Sequence, residues 1–470
     1  MDVNTLKSVY FIGAGGIGMS ALVRYFLSKG KKVGGYDRTP SELTERLIEE
    51  GAQIHYEESV ELIGSDFLDA ETTLIVYTPA IPDTHSELQY FRTNGFTIHK
   101  RAQVLGMLTR SGKGLCAAGT HGKTTTSSMA AHLLHQSPVG CDAFLGGISK
   151  NYGTNLLLSD NSAYVVIEAD EYDRSFHHLT PYISVITSMD PDHLDIYGTE
   201  QSYYDSFAHY ASLVTQSLVV KKGLESRLSD TNANVYTYAL EQDADFVARN
   251  IRYDNGVIVF DFYIEVQSEV IIKGMRLCVP VWVNVENSLA ALAVGYLLGM
   301  TEEELRAGLE SFTGVYRRFN MHINPPRVSY VDDYAHHPQE LEASIESVKR
   351  LYPDRRLLVV FQSHLFSRTR DFADGFASVL SRAEALLLLP IYPARELPIE
   401  GVTSNWLLGL IPSISRDNAK VVDKCDLVTE IDSLVTRWIN IGEKCVVMTL
   451  GAGDIDRLVG DIKQNLNKYE

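Results

Sequence analysis

Two glycine-rich loops constrain this chain more than any other feature. Gly13-Ala14-Gly15-Gly16-Ile17-Gly18 follows the strand-like run SVYFIG and opens the amphipathic segment GMSALVRYFLSKG, which ends at Gly30. Gly119-Thr120-His121-Gly122-Lys123-Thr124-Thr125-Thr126 follows the strand-like run KGLCAA and precedes a helical segment. A strand, a tight glycine turn and a helix N-terminus make a phosphate-binding device, because unpaired N–H groups and the helix dipole favour an anion. Each loop therefore predicts a parallel α/β unit.

The two loops differ in kind. The first fits G-x-G-x-x-G, with Asp37 closing the next strand, KKVGGYD. That context suits NAD, and it suits any other nucleotide diphosphate, a UDP-sugar included. The second departs from G-x-x-x-x-G-K-[ST], because Ala117 stands where the first glycine belongs. Gly119 is then expected to make the early turn. Lys123 would neutralise β/γ-phosphate charge, and the Thr124 hydroxyl would ligate Mg²⁺. Such a loop needs an acidic metal partner. EADEYD supplies Glu168, Asp170, Glu171 and Asp173 at a strand end, and Glu168 is the first past the apolar run. MDPDHLD places Asp192, His193 and Asp195 at the next strand end. Taken alone, His193 reads as a structural histidine, since Mg²⁺ prefers oxygen.

At 470 residues the chain exceeds one ordinary core; at ~150 residues per domain it predicts about three domains. Residues 1–105 alternate strand and helix, as in SVYFIG, KKVGGYD and TTLIVYTPAIP. Residues 106–314 hold the second loop and the strands AYVVIEAD and ISVITSMDPDHLD. Between 245 and 283, FVARNIRYDNGVIVFDFYIEV alternates and carries an Asp-Asn-Gly turn, which predicts an antiparallel β flap on the central sheet. NVENSLAALAVGYLLG predicts a buried helix closed by Gly299. GVYRRFN reads as a linker into residues 315–470, where RVSYVDDYAHHP, RRLLVVFQSH, EALLLLPIY and KCVVMTLGAGD are strands of a second open α/β sheet. Ligands bind such sheets beyond the strand C-termini. There lie Asp332, Asp333, Tyr334, His336, His337, His364, Arg368 and Arg370. Arg317 and Arg318 read either as a solvated basic pair or as linker arginines that reach a γ-phosphate.

A formal net charge of −18 argues against a general nucleic-acid or anionic-membrane surface. The five cysteines form no C-x-x-C pair, so neither structural zinc nor a disulfide framework is expected; reduced thiols and a cytoplasmic location are. The N-terminus shows no signal-peptide architecture, and runs such as EALLLLPIY are too short to span a bilayer.

The order GAGGIG, GTHGKTTT, EADE, DHLD, N-x-x-N-x-x-A-A, R-R-F, DDYAHHP resembles the Mur ligases over nearly the whole chain. These are ATP-dependent amide-forming enzymes of peptidoglycan precursor synthesis. GAGGIGMSAL, YVDDYAHHP and VVFQSHLFSRTRD are nearest the alanine-adding branch, while EADEYD is shared in part with the murein-peptide branch that recycles a tripeptide. Folylpolyglutamate synthetases share the ATP core but lack this first domain. The resemblance implies a Rossmann-like UDP-sugar domain, a central P-loop ATPase-like domain with the β flap, and a C-terminal Rossmann-like α/β domain for the amino acid. It implies ATP and Mg²⁺, UDP-N-acetylmuramate and L-alanine as substrates, no nucleic-acid or membrane partner, and a monomer or homodimer.

Residue by residue, the resemblance puts Gly119, Thr120, His121, Gly122, Lys123, Thr124 and Thr125 at the ATP phosphates. Thr124, Glu168 and His193 would hold Mg²⁺. Asn284 and Asn287 match adenine contacts, Asp333 a ribose contact and Arg318 a cation near the γ-phosphate. Lys123, Glu168, His193 and Arg318 form the implied catalytic set. Gly15, Gly16, Ile17, Gly18, Met19 and Ser20 would lie at the UDP-sugar diphosphate, with Asp37 beside them. His337, His364, Arg368 and Arg370 would serve the remaining substrate groups, with Arg368 the main candidate for the alanine carboxylate.

Three departures stand out. Val283 precedes Asn284 where the family commonly has histidine, and Leu365 stands where arginine is frequent. No lysine occurs between His193 and Lys221, so the carbamylated lysine of many relatives is not expected. The implied reaction passes the γ-phosphate to a lactyl carboxylate, and the amine of alanine then displaces phosphate, inside a site closed by domain movement. Two rival classes remain: an NAD-dependent oxidoreductase with an accessory ATPase domain, and an ATP-gated binding module.

Overall fold

The computed structural model describes residues 6–469 apart from 229–230, 325, 395 and 413–417, and gives the backbone alone at 194 and 195. Among these residues the strands form three sheets. The first has five parallel strands, β1 (Ser8–Ile12), β2 (Lys32–Tyr36), β3 (Gln53–His55), β4 (Thr73–Tyr77) and β5 (Thr97–Lys100), in the order β3-β2-β1-β4-β5. Every residue of β1 is buried, as a strand covered on both faces requires. The chain steps from β1 to one side, then returns to β4 on the other. The switch point therefore lies between β1 and β4, beside the loop that starts at Gly13. Gly13 has φ 90, and a Cβ there would stand 2.6 Å from Thr78 Cγ2, just after β4. No other residue type fits that turn.

The second sheet comprises β6 (Lys113–Ala118), β7 (Asp142–Phe144), β8 (Leu156–Leu157), β9 (Tyr164–Glu168), β10 (Pro181–Ile186), β11 (Ser217–Lys221), β12 (Asn234–Leu240), β13 (Phe246–Asp254), β14 (Val257–Ile264) and β15 (Val270–Leu277). Its order is β15-β14-β13-β12-β11-β10-β6-β9-β7-β8. β6 is parallel to both β9 and β10. The loop after β6, the EADE segment after β9 and the TSMDPDH segment after β10 therefore emerge at one edge, and this register assembles the site. The expected flap is β13, β14 and β15. Asn255 and Gly256, at φ 50 and 82, make the two-residue left-handed turn from β13 to β14. The predicted apolar helix runs Val283–Leu297, and Gly299 follows at φ 84.

The third sheet contains β16 (Asn320–Ile323), β17 (Val328–Asp333), β18 (Arg356–Phe361), β19 (Ala385–Leu388), β20 (Ala419–Val421) and β21 (Cys445–Leu450), ordered β16-β17-β21-β18-β19-β20. All its pairings are parallel except β16–β17. Asn320, read above as the end of a linker, opens that antiparallel edge strand.

The chain forms two compact units: Met1–Ile251, Phe260–Arg276 and Glu286–Thr313 make the first, and Arg252–Val259, Leu277–Val285 and Gly314–Glu470 the second. Both glycine loops belong to the first. Within it the helix Arg101–Ser111 leads from β5 into β6 and passes through the boundary expected at 105. Gly106 lets it pack closely, since a Cβ there would stand 2.2 Å from the His178 carbonyl oxygen. No described helix is long and apolar enough to cross a membrane.

One carboxylate is sealed in the core of the first sheet, among Tyr10, Phe67, Phe91 and Phe96. Glu87 is 0% exposed, accepts from Tyr10 Oη at 2.7 Å and from the Ser59 N–H at 3.2 Å. Burial pushes its carboxyl up to about 7 from an ordinary 4.5; the bonds from Tyr10 and Ser59 oppose this, and Glu58 adds to it. A raised carboxyl pKa means that the folded protein holds the proton more tightly than the unfolded chain. The contribution of Glu87 to stability is therefore greatest below pH 4.5, falls as pH rises to about 7, and is level above that. The Glu87→Gln protein, which has no such proton, is expected to gain about 1–3 kcal/mol relative to the parent across that window. Urea unfolding at several pH values checks this; a difference that does not change with pH contradicts it.

Candidate active site

The loop after β6 explains the missing glycine. Ala117 is still inside the strand, paired with Val185 of β10 and Glu168 of β9, so it needs no special conformation. The turn starts at Gly119, with φ 133, where a Cβ would stand 2.2 Å from Thr187 Oγ1. Gly122, with φ 84, is the left-handed N-cap of the helix Lys123–His135. A Cβ on Gly122 would stand 2.6 Å from Asn287 Oδ1, the atom that also accepts from Thr126 Oγ1 at 3.3 Å. Both glycines are thus required by backbone and by space. The segment after β10 braces the loop. The His121 N–H donates to Ser188 Oγ at 2.8 Å, the Thr187 hydroxyl donates to the His121 carbonyl, and Thr120 Oγ1 donates to the Asp190 carbonyl at 2.7 Å. No acidic residue occupies the first turn of the helix, whose Thr124 is buried and Thr125 half-buried.

Lys123 dominates the electrostatics. Its Nζ donates to the carbonyls of Gly119 at 2.6 Å and Thr120 at 3.1 Å, and forms an ion pair with Glu171 at 2.7 Å. Burial disfavours its charge, but Glu171, Asp170 and Glu168 outweigh burial and hold the ammonium above its ordinary pKa. Glu171, only 2% exposed, responds the other way: burial, reinforced by Asp170, pushes it up to about 7 against the pull of Lys123. Thr124 Oγ1 donates to Glu168 Oε2 at 2.9 Å. Glu168 lies over Gly146, where a Cβ would stand 1.8 Å from Oε2.

His193, at φ 54, has its Nε2 4.0 Å from Glu171 Oε1 and 3.7 Å from Asp192 Oδ2. The side chain of Asp195 lies outside the described residues. Among those residues no three His, Cys, Asp or Glu side chains form a ready cage for a metal. The donor set still fits Mg²⁺. Thr124 and Glu168 are adjacent oxygen donors at a phosphate loop, and Mg²⁺ takes one or two protein oxygens and completes its shell with phosphates and water.

At the first glycine loop, the Gly15 N–H donates to Asp37 Oδ2 at 2.7 Å. Asp37 therefore braces the loop. Asn155 Nδ2 donates to the Ile17 carbonyl at 2.6 Å and to Ser20 Oγ at 2.9 Å. Gly16 is the N-cap of the helix Ile17–Ser28, and Ile17 is exposed. Met19 and Ser20 are 2% and 0% exposed. The Met19 side chain packs in the apolar core of the first unit and the Ser20 hydroxyl lies against Asn155. Gly18 lies against Arg101, whose Nη2 donates to Asp170 Oδ2 at 3.1 Å. Lys100 pairs with Asp173 at 2.7 Å. A cavity of about 530 Å³ adjoins them, lined among others by Tyr77, Ile81, Lys100, Tyr172 and Asp173. Asp173 and Arg174 both hold left-handed backbones, at φ 53 and 52. The sequence reading did not single out Lys100, Arg101, Gly146 or Asn155. Only the basic pair at the junction of a strand and a helix was visible as a signal.

In the second unit Asp333 is 7% exposed and accepts from the Ser344 hydroxyl. Burial raises its carboxyl to about 6, opposed by Ser344 and Arg318. Arg317 and Arg318 flank the Tyr334 ring at 5.1 and 5.0 Å, and Arg317 also pairs with buried Asp332. The pair is thus packed, not solvated. His337 is the N-cap of the helix Pro338–Leu351, its Nδ1 accepting from the Gln339 N–H at 3.4 Å. His364 stacks on Tyr392 at 5.7 Å and lies 6.1 Å from the His336 ring. Leu365 has φ 71, an unusual conformation for a side chain that replaces the family's arginine. Arg368 is half-buried, whereas Arg370 is exposed and bonded to Asp371 at 2.7 Å. Two residues apart on a helix, they point to different faces. Asn284 lies on the first turn of the helix Val283–Leu297, within the second unit, and Asn287 within the first.

Comparison with known proteins returns three consecutive domain models. The model described as "Mur ligase family, catalytic domain" matches residues 8–113, "Mur ligase middle domain" 117–295, and "Mur ligase, glutamate ligase domain" 317–453. A UDP-N-acetylmuramate–L-alanine ligase of Phocaeicola vulgatus is 59% identical, covering 100% of both chains. A solved UDP-N-acetylmuramate-alanine ligase of Thermotoga maritima is 25% identical with a TM-score of 0.81, covering 98% of this chain and 100% of that one. A murein peptide ligase of Psychrobacter arcticus, at 21% identity and a TM-score of 0.71 over 98% of each chain, shares the fold. Three domain models in the order of the three sheets, with full-length identity well above half, make the chain a member of the Mur ligase family.

Proposed function

We propose that this chain joins L-alanine to the lactyl carboxylate of UDP-N-acetylmuramate, with ATP as phosphoryl donor, and releases UDP-N-acetylmuramoyl-L-alanine, ADP and phosphate. The observation that carries this reading is the Lys123–Glu171–Glu168–Thr124 cluster in the same compact unit as a second glycine loop. One loop serves ATP and the other the sugar nucleotide. The full-length similarity to an alanine-adding relative favours this reading over the tripeptide-joining one, whose structural relative speaks for the fold alone.

In the proposed reaction a carboxylate oxygen attacks the γ-phosphorus, and the bond to the ADP oxygen breaks. The amine nitrogen then attacks the acyl carbon, phosphate leaves with that oxygen, and the amine loses a proton. The first step brings two anions together, so cations must screen them. Lys123 is proposed as one such cation and Arg318 as a second. Thr124 and Glu168, with His193, are proposed to hold Mg²⁺, which supplies charge neutralisation at the phosphates. Asn284, Asn287 and Asp333 are proposed for the nucleoside, and Arg368 for the alanine carboxylate. A cytoplasmic monomer or homodimer, with domains 1–105, 106–314 and 315–470, completes the proposal.

ADP release measured with UDP-N-acetylmuramate and L-alanine is expected to need both. Release that ignores either substrate contradicts the proposal, and a tripeptide that replaces alanine points to the other branch. Lys123→Ala is expected to lower the rate on the order of 10³-fold. Gly146→Ala pushes Glu168 off Thr124, so the Mg²⁺ concentration for half-maximal rate is expected to rise about 10–100-fold. Metal-free ADP binding, followed by calorimetry, should stay as in the parent.

A further inference from the structure

Gly18 is the third glycine of the first motif, yet its backbone does not need glycine. It lies inside the helix Ile17–Ser28, and its φ is not in the left-handed region. What it needs is space. A Cβ at Gly18 would stand 1.9 Å from Arg101 Nη1 and 3.0 Å from Arg101 Cζ. Nη1 of the guanidinium therefore occupies the space a Cβ would take, and a side chain at Gly18 would displace it.

Arg101 opens the helix Arg101–Ser111 directly after β5, on the same edge of the sheet as the glycine loop. Its side chain is only 23% exposed. Nη2 donates to Asp170, while among the described residues Nε and Nη1 donate to nothing. Those two nitrogens are not sealed from solvent and remain available to an acceptor that arrives with a ligand. Arginine's planar fork matches a phosphate bidentately. The preceding residue, Lys100, lines the cavity of about 530 Å³.

We propose that Arg101 is the anchor for the diphosphate of the acceptor sugar nucleotide, and that Gly18 is there to admit it. Through Asp170 the same guanidinium ties that diphosphate to the acidic segment that surrounds Lys123. Arg101 is thus a binding residue that sets the distance between the acceptor and the phosphoryl donor. This rests on the acceptor assigned above.

Gly18→Ala is the most informative test. Alanine is at home in a helix, and the flexible arginine can swing away, so the variant should fold. Calorimetry on the full-length protein is expected to show UDP-N-acetylmuramate binding about 10–100-fold weaker in both Gly18→Ala and Arg101→Met. ADP affinity should stay within about twofold, and the double variant should be no worse than either single one. Arg101→Lys, with charge but no fork, should fall between. In steady state KM for UDP-N-acetylmuramate should rise with kcat nearly unchanged, because the diphosphate does not react. Parent-like binding in the two single variants would overturn the proposal. So would equal losses for ADP, which mark a structural role, or a fall in kcat at unchanged affinity, which places Arg101 on the reacting carboxylate. A parent protein that binds ADP but not UDP-N-acetylmuramate removes the acceptor reading, and this proposal with it.

Discussion

A buried ammonium among carboxylates is the interaction on which the rest depends. Lys123 sits against Glu171 with Asp170 and Glu168 close by, and their charges keep it protonated despite burial. A buried pair of this kind is poor evidence for stability, because desolvation offsets much of the attraction. Its value is positional. The cluster holds more carboxylate than ammonium, so it suits an anionic ligand only together with a divalent cation. Thr124 and Glu168, hydrogen-bonded to each other, are the oxygen donors proposed for such a cation.

That cluster exists because of strand order. β6 lies between β10 and β9 and is parallel to both, which delivers three segments to one edge. The braces from Thr187, Ser188 and Asp190 then fix a loop whose two glycines have no room for a side chain. The first sheet repeats the principle with different means. There Asp37 and Asn155 hold the glycine turn, and Arg101 reaches from β5's end to the acidic segment after β9.

Much of this was legible in the sequence. Both loops, the strands that feed them, the flap between 245 and 283 and the open third sheet follow from local pattern, because glycine turns and apolar strands announce themselves within a few residues. Ala117 was legible as a departure, and its cause, a strand that still holds Ala117 and Ala118 before the turn at Gly119, needed the pairing with Val185 and Glu168. Partnerships across distant segments were not legible. Nothing near Glu171 names Lys123 as its partner, and nothing near Gly18 names Arg101. Facing was also lost: Met19 and Ser20 sit in the glycine motif but turn into the core, and Arg370 turns to solvent while Arg368 does not. Nor does the sequence show that the ring nitrogen of His337 caps a helix.

The central claim is that the γ-phosphoryl group passes to a sugar-linked carboxylate before the amide forms. It is tested most directly by UDP-N-acetylmuramate labelled with ¹⁸O in the lactyl carboxylate, with mass analysis of the phosphate released during turnover. Attack by the carboxylate leaves one of its oxygens on phosphorus, so the account predicts labelled phosphate. Phosphate free of label, formed at the rate of the amide product, would contradict it.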